Sequence, residues 1–291
     1  MRVKQLMVAV GVLLTSVTAI ADIEPEIALP TTAVTREPAN GLPTHTVFRP
    51  ANLGGYAERS LPVVVWANGG CRRSHYGYIS YLNGLAQHGY IVIAVGAINE
   101  TRTAGSTEQP ERLLAAVDWL ATDMAQLQLQ GRADRDRIAT AGTSCGGAEA
   151  LLAAKDSRID AVLALSTGFW PEGTQTRMKS TIVDLDDITA PIMLAYGGPD
   201  DIAAPNAIAN FERSDGPFLL VSVAGAGHNG LTYGIYKGDT DIGLLIESIG
   251  LAATWLDYAL KGDRAAGARL LDDGCSYCTR ELFDVSRKGF R

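Results

Sequence analysis

From residue 45 onward, short apolar runs alternate with stretches whose apolar residues recur every three or four positions. Residues 46–48, 63–66, 91–95, 162–165, 192–196 and 218–223 are β-branched, aliphatic or aromatic runs bounded by turn formers, and each predicts a strand. Residues 79–87 have helical apolar spacing and stop at His88-Gly89. A second helix is predicted over 110–127, carrying Leu113, Leu114, Val117, Trp119 and Leu120, with further helices over 241–260 and 264–271. Strands apolar along nearly their whole length have no solvent face. Interleaved with amphipathic helices, they predict an α/β fold with a mostly parallel central sheet and helices on both faces. In such sheets function belongs beyond the carboxyl ends of the strands. Residues 22–44, rich in Pro, Thr and Ala, read as a loosely structured lead-in, and there is no internal repeat or low-complexity segment.

The N-terminus changes the picture of where the mature chain begins. Arg2 and Lys4 precede an apolar core over residues 6–17, and Ala19-Ile20-Ala21 is a small-x-small cleavage site. The run is short for a membrane span and is followed by acidic Asp22 and Glu24 rather than a basic flank. Residues 1–21 therefore predict a signal peptide and 22–291 a single secreted or periplasmic domain, free of the membrane after cleavage. Losing Arg2 and Lys4 takes the formal net charge from −7 to −9. So acidic a chain is poorly suited to nucleic acid or to an anionic membrane surface.

Candidate chemistry falls where the sheet pattern predicts. Gly142-Thr143-Ser144-Cys145-Gly146-Gly147 lies between a strand-like run (137–141) and a helix-like one (148–155). A serine flanked by glycines at that junction suits a sharp, strained turn that exposes its hydroxyl at the positive end of the following helix. Chance alone supplies G-x-S-x-G in a glycine-rich turn; the strand and helix around it give the motif its specificity. Asp200 and Asp201 follow the 192–196 strand, and His228 follows the last strand, in Gly225-Ala226-Gly227-His228. Ser, Asp and His thus occur in the chain order of a nucleophile, an acid and a base built on this kind of sheet.

With Asn68-Gly69-Gly70-Cys71, Gly198-Pro199-Asp200-Asp201-Ile202-Ala203-Ala204-Pro205 and the His228 segment, these motifs make the chain resemble a secreted α/β-hydrolase of the serine esterase type. The resemblance covers nearly all of the mature sequence. It implies acyl-enzyme chemistry on Ser144, with His228 as general base. Asp201, four residues before Pro205, matches the family spacing of the acid better than Asp200. It implies an oxyanion hole formed by the amide of Cys145 and that of Gly70, with Cys71 as the alternative second donor. Asn68-Gly69 stands where many relatives have His-Gly. Relatives acting on aromatic polyesters tend to carry an aromatic residue where Gly70 stands. A small or medium soluble ester is therefore expected ahead of the alternatives, a polyester or a feruloyl-type ester. A non-catalytic binding protein on the same fold is the reading from another class, and the complete Ser-Asp-His set weighs against it.

Four cysteines in an exported chain favour two disulfides out of three possible connectivities. Cys71 and Cys145 lie on the two loops that must converge on the oxyanion hole, so Cys71–Cys145 and Cys275–Cys278 are the expected pairs, against two free buried thiols. Cys275-Ser276-Tyr277-Cys278 trails the last helix, unlike a redox pair opening one. No second Cys/His cluster has zinc spacing, and no metal or cofactor is expected. Trp170, after a strand end, is a candidate pocket wall; His75 and Tyr76 are candidates for the cleft rim. No long insertion between residues 165 and 192 resembles a lid.

Overall fold

The computed structural model describes residues 29–101, 103–174, 176, 178–236 and 239–290. The predicted signal peptide lies outside them. Its strands are β1 (Val34–Pro38), β2 (His45–Pro50), β3 (Leu61–Ala67), β4 (Ile91–Val95), β5 (Ala133–Thr143), β6 (Ala161–Leu165), β7 (Ile192–Tyr196), β8 (Phe218–Val223), the short hairpin β9 (Ile235–Tyr236) and β10 (Asp239–Thr240), and β11 (Phe283–Lys288). The helices are α1 (Ile79–Gln87), α2 (Glu111–Trp119), α3 (Asp123–Gln128), α4 (Cys145–Ala153), α5 (Ala204–Arg213), α6 (Gly227–Tyr233), α7 (Ile242–Lys261) and α8 (Arg264–Leu271).

Nine strands form one sheet in the order β1-β2-β4-β3-β5-β6-β7-β8-β11. From β4 to β8 every neighbouring pair is parallel; β1, β2 and β11 add antiparallel edges. Alternation along the buried strands builds two cores. Val63, Val65, Ile91, Ile93, Ile192 and Leu194 face one side, with Leu113, Ala148, Leu151 and Ala207 from α2, α4 and α5. Val64, Trp66, Val92, Ala94 and Met193 face the other, with Leu82, Leu85, Trp255 and Leu256 from α1 and α7. Each large aliphatic or aromatic side chain fully withdrawn from water contributes about 1.5–3 kcal/mol, so the two layers together fix the sheet. Helix α7 is long and apolar enough to cross a membrane by composition alone. Here it packs on the sheet, and Trp255 Nε1 donates to the Val162 carbonyl at 3.0 Å.

Three expectations need correction. The lead-in contains β1, which pairs with β2 in register Val34 to Pro50 through Pro38 to Thr46. The helix expected over 110–127 is two helices, because Thr122 leaves helical geometry and its hydroxyl accepts the Ala125 N–H at 3.2 Å, capping α3. Strand β11, beyond the last helix, was not expected; it pairs antiparallel with β8 and closes that edge.

Candidate active site

Ser144 sits between the central strand β5 and α4 with φ 54° and ψ −124°. Non-glycine residues rarely hold such a backbone, which costs on the order of 1–3 kcal/mol and persists only when surroundings impose it. Here the Ser144 N–H donates to the Leu165 carbonyl at 2.8 Å, and the Thr167 hydroxyl donates to the Ser144 carbonyl at 2.7 Å. The flanking glycines are sterically required. A Cβ on Gly142 would strike the Gly146 carbonyl, and one on Gly146 would strike the backbone of Ala67 and Asn68. The pinch that excludes side chains on either side leaves the serine hydroxyl projecting beyond the strand.

His228, expected in a loop, is in the first turn of α6, directly after β8. Its Nε2 lies 3.0 Å from Ser144 Oγ and its Nδ1 lies 2.7 Å from Asp201 Oδ1. Asp201 is 2% exposed. Its carboxylate also accepts the N–H groups of Gly197 and Ala203, each at 2.9 Å. Burial by itself would raise the carboxyl; the bonds from His228, Gly197 and Ala203 outweigh it and hold the group below its ordinary range. Asp200 is exposed.

Opposite Ser144 lies a turn over residues 68–72 held by hydrogen bonds to the Asn68 side chain and to several backbone groups. Asn68, fully buried, accepts from Trp66 Nε1 at 3.0 Å and donates to the carbonyls of Val95 at 2.8 Å and Arg72 at 3.1 Å. The Gly69 N–H donates to the Tyr78 hydroxyl at 3.1 Å. The Gly70 carbonyl accepts the Ser106 N–H at 3.2 Å, and the Cys71 carbonyl accepts the Ser106 hydroxyl at 3.1 Å. These bonds hold two consecutive residues, Gly70 and Cys71, at positive φ (67° and 51°). Gly70 and Cys145 line the same cleft as Ser144 and His228. Cys145 opens α4, where an N–H has no acceptor within the helix.

Cys71 is disulfide-bonded to Cys145, with Cα atoms 5.2 Å apart, and Cys275 to Cys278. The first bridge staples the turn to the residue after Ser144. Beneath it lies Glu149, one helical turn along α4 and 1% exposed. One of its oxygens accepts the Gln109 N–H at 2.7 Å, and Gln109 in turn donates to the Ser106 hydroxyl at 3.1 Å. Burial pushes the Glu149 carboxyl up to about 7.

The cleft has a volume of about 290 Å³ and, besides the residues above, is walled by Thr167, Trp170, Met178, Ile202 and Asn206. Trp170, the candidate pocket wall, lines this cleft. Met178, Ile202 and Asn206 were missed, since nothing in their local pattern separates them from surface residues. The segment between β6 and β7 contributes Trp170 and Met178 to these walls. It is tied to Glu108, a buried carboxylate that accepts the Ser180 hydroxyl at 2.7 Å and the Ser180 N–H at 3.2 Å. His75 is not at the rim; it turns inward, edge-on to Phe48 with ring centroids 5.4 Å apart. Burial pushes its imidazole, like that of His45, down to about 4.

A family model described as PETase, PET hydrolase-like, matches residues 16–213. That span runs from β1 through α5, includes Ser144 and Asp201, and ends before His228. No curated protein matches the chain.

Proposed function

This chain belongs to the PET hydrolase-like family of α/β-hydrolases, and we propose that its carboxylic ester hydrolysis runs through an acyl-enzyme on Ser144. The observation that carries the reading is the unbroken relay from Ser144 Oγ to His228 Nε2 at 3.0 Å and from His228 Nδ1 to Asp201 at 2.7 Å. His228 takes the serine proton as Oγ attacks the acyl carbon, then delivers it to the departing alkoxide. Asp201 fixes the tautomer with Nδ1 protonated and stabilises the imidazolium that forms. The carbonyl oxygen gains negative charge in the tetrahedral intermediate, and the amides of Gly70 and Cys145 receive it. Water, deprotonated by His228, then releases the acid by the same steps in reverse.

The substrate is a small or medium ester with an apolar acyl or alcohol part seated against Trp170 and Met178. Gly70 leaves the oxyanion turn without an aromatic clamp, which supports a compact ester. A second reading, a polyester, is favoured by the family itself and by Ile202, 78% exposed at the cleft edge. Export, with cleavage after Ala21 and one hydrolase domain over residues 22–291, fits the two disulfides, which persist in an oxidising compartment. The reading is tested by incubating folded protein with a fluorophosphonate and mapping the adduct. A single adduct on Ser144, lost in His228→Ala, is expected; labelling elsewhere or none would overturn it.

A further inference from the structure

The Gly69 N–H has an acceptor that no part of the hydrolytic relay explains. Tyr78 is 4% exposed, and its hydroxyl receives that N–H at 3.1 Å. Its ring packs on that of Tyr233, with centroids 4.8 Å apart and planes at 35°. Tyr233 is the last residue of α6, whose second residue is His228. Two tyrosines therefore join the turn that carries Gly70 to the helix that carries the base.

The surroundings are shaped to hold this pair. A Cβ on Gly77 would lie 3.0 Å from both Cζ and Oη of Tyr233, so the absent side chain there makes room for the ring. On its other side Tyr78 packs against Trp66 with centroids 5.6 Å apart, and Trp66 Nε1 is the donor to Asn68. Burial, the larger effect, and the neighbouring Tyr233 both keep the Tyr78 phenol protonated. The neutral hydroxyl still accepts the Gly69 N–H. Helix α6 has only seven residues, too few to hold its own orientation, so a tie at its far end bears on the direction of His228.

We infer that Tyr78 and Tyr233 are positioning residues: the Tyr78 hydroxyl sets the peptide of the oxyanion turn, and the contact of the two rings registers that turn against the His228 helix. The inference rests on the reading that Gly70 donates to the oxyanion. Neither tyrosine touches the reacting atoms. Both act by keeping the Gly70 N–H and the imidazole at a fixed separation, so that both meet the tetrahedral intermediate.

The test compares wild type, Tyr78→Phe, Tyr233→Leu and Tyr233→Phe in ester hydrolysis, beside Ser144→Ala. Tyr78→Phe keeps the ring packing and removes only the hydroxyl that Gly69 meets; Tyr233→Leu removes the ring contact and Tyr233→Phe keeps it. The expected result is a fall in kcat of about tenfold in Tyr78→Phe with KM changed less than twofold. Tyr233→Leu falls severalfold, and Tyr233→Phe stays within twofold of wild type. Affinity for an alkyl boronic acid, whose tetrahedral serine adduct places an oxygen at the hole, falls by the same factor as kcat. Unchanged kcat and boronate affinity in Tyr78→Phe and Tyr233→Leu overturn the inference, as does a loss in Tyr233→Phe equal to that in Tyr233→Leu. If Tyr78→Phe does not fold, the two Tyr233 variants decide alone, since both leave the Gly69 acceptor in place. An active Ser144→Ala instead overturns the acyl-enzyme reading, so the two failures are separable.

Discussion

Removing the Cys71–Cys145 bridge will cost both stability and turnover, and the two costs have different sources. The bridge spans 74 positions in sequence. Opening a loop of that size returns conformational entropy to the unfolded chain worth about 4.5 kcal/mol. Cys275–Cys278 spans only three positions, for which the same relation gives about 2 kcal/mol. The catalytic cost comes from Gly70 and Cys145 losing their mutual alignment; misplacing one donor carries a ceiling of about 3 kcal/mol, roughly a hundredfold in kcat. The tied backbone of residues 68–72 limits the movement, so a loss of about tenfold is expected. Paired Cys→Ala variants of each bridge, compared by urea unfolding and by ester kinetics, separate the terms. The Cys71/Cys145 variant should lose about 4 kcal/mol and turn over about tenfold more slowly. The Cys275/Cys278 variant should lose about half as much stability and keep its kcat. Equal stability losses would refute the entropy argument. A Cys71/Cys145 variant with wild-type kcat would refute the alignment argument.

Other outcomes follow from the same geometry. Asp201→Asn should lower kcat by about 10³–10⁴ through loss of the correct tautomer, whereas Asp200→Asn should stay within about threefold; comparable losses would mean that the acid is misassigned. Glu149, near 4.5 when unfolded and about 7 in the fold, binds its proton more tightly in the native state, so its contribution favours folding below pH 4.5 and is lost as pH rises to 7. Glu149→Gln should therefore gain, relative to wild type, up to about 3 kcal/mol more at pH 8 than at pH 5 in urea midpoints, and a pH-independent difference would contradict the account. Trp170→Ala should shift the preferred acyl length upward in a p-nitrophenyl ester series, and an unchanged optimum would remove Trp170 from the pocket.

Much of this architecture is written locally. Helix α1 and strands β4, β7 and β8 begin and end where periodicity and turn residues put them, because each is a buried element with clear breakers on both sides. The Ser144 turn is legible in part for the same reason: Gly142 answers a steric demand from Gly146, four residues away, whereas Gly146 is pressed by Ala67 and Asn68 at the end of β3. What was missed depends on distant partners. Strand β1 is a polar edge segment whose only reason to be extended is β2, and β11 needs β8 in the same way. The break between α2 and α3 was hidden because apolar spacing continues through Leu120 while a single threonine hydroxyl ends the helix. The buried carboxylates of Glu108 and Glu149 escaped entirely. Glu149 sits in an apolar helix, which was a usable signal, but its partner Gln109 is 40 residues away. The Tyr78–Gly69 contact is likewise invisible without the fold, since neither residue is unusual in its segment.

The central claim is tested most directly by hydrolysis of p-nitrophenyl esters of increasing acyl length by wild type and Ser144→Ala. Wild-type turnover with a clear length optimum, abolished in a Ser144→Ala protein that unfolds at the wild-type temperature, is the predicted result. Turnover that survives the loss of the Ser144 hydroxyl would contradict the account.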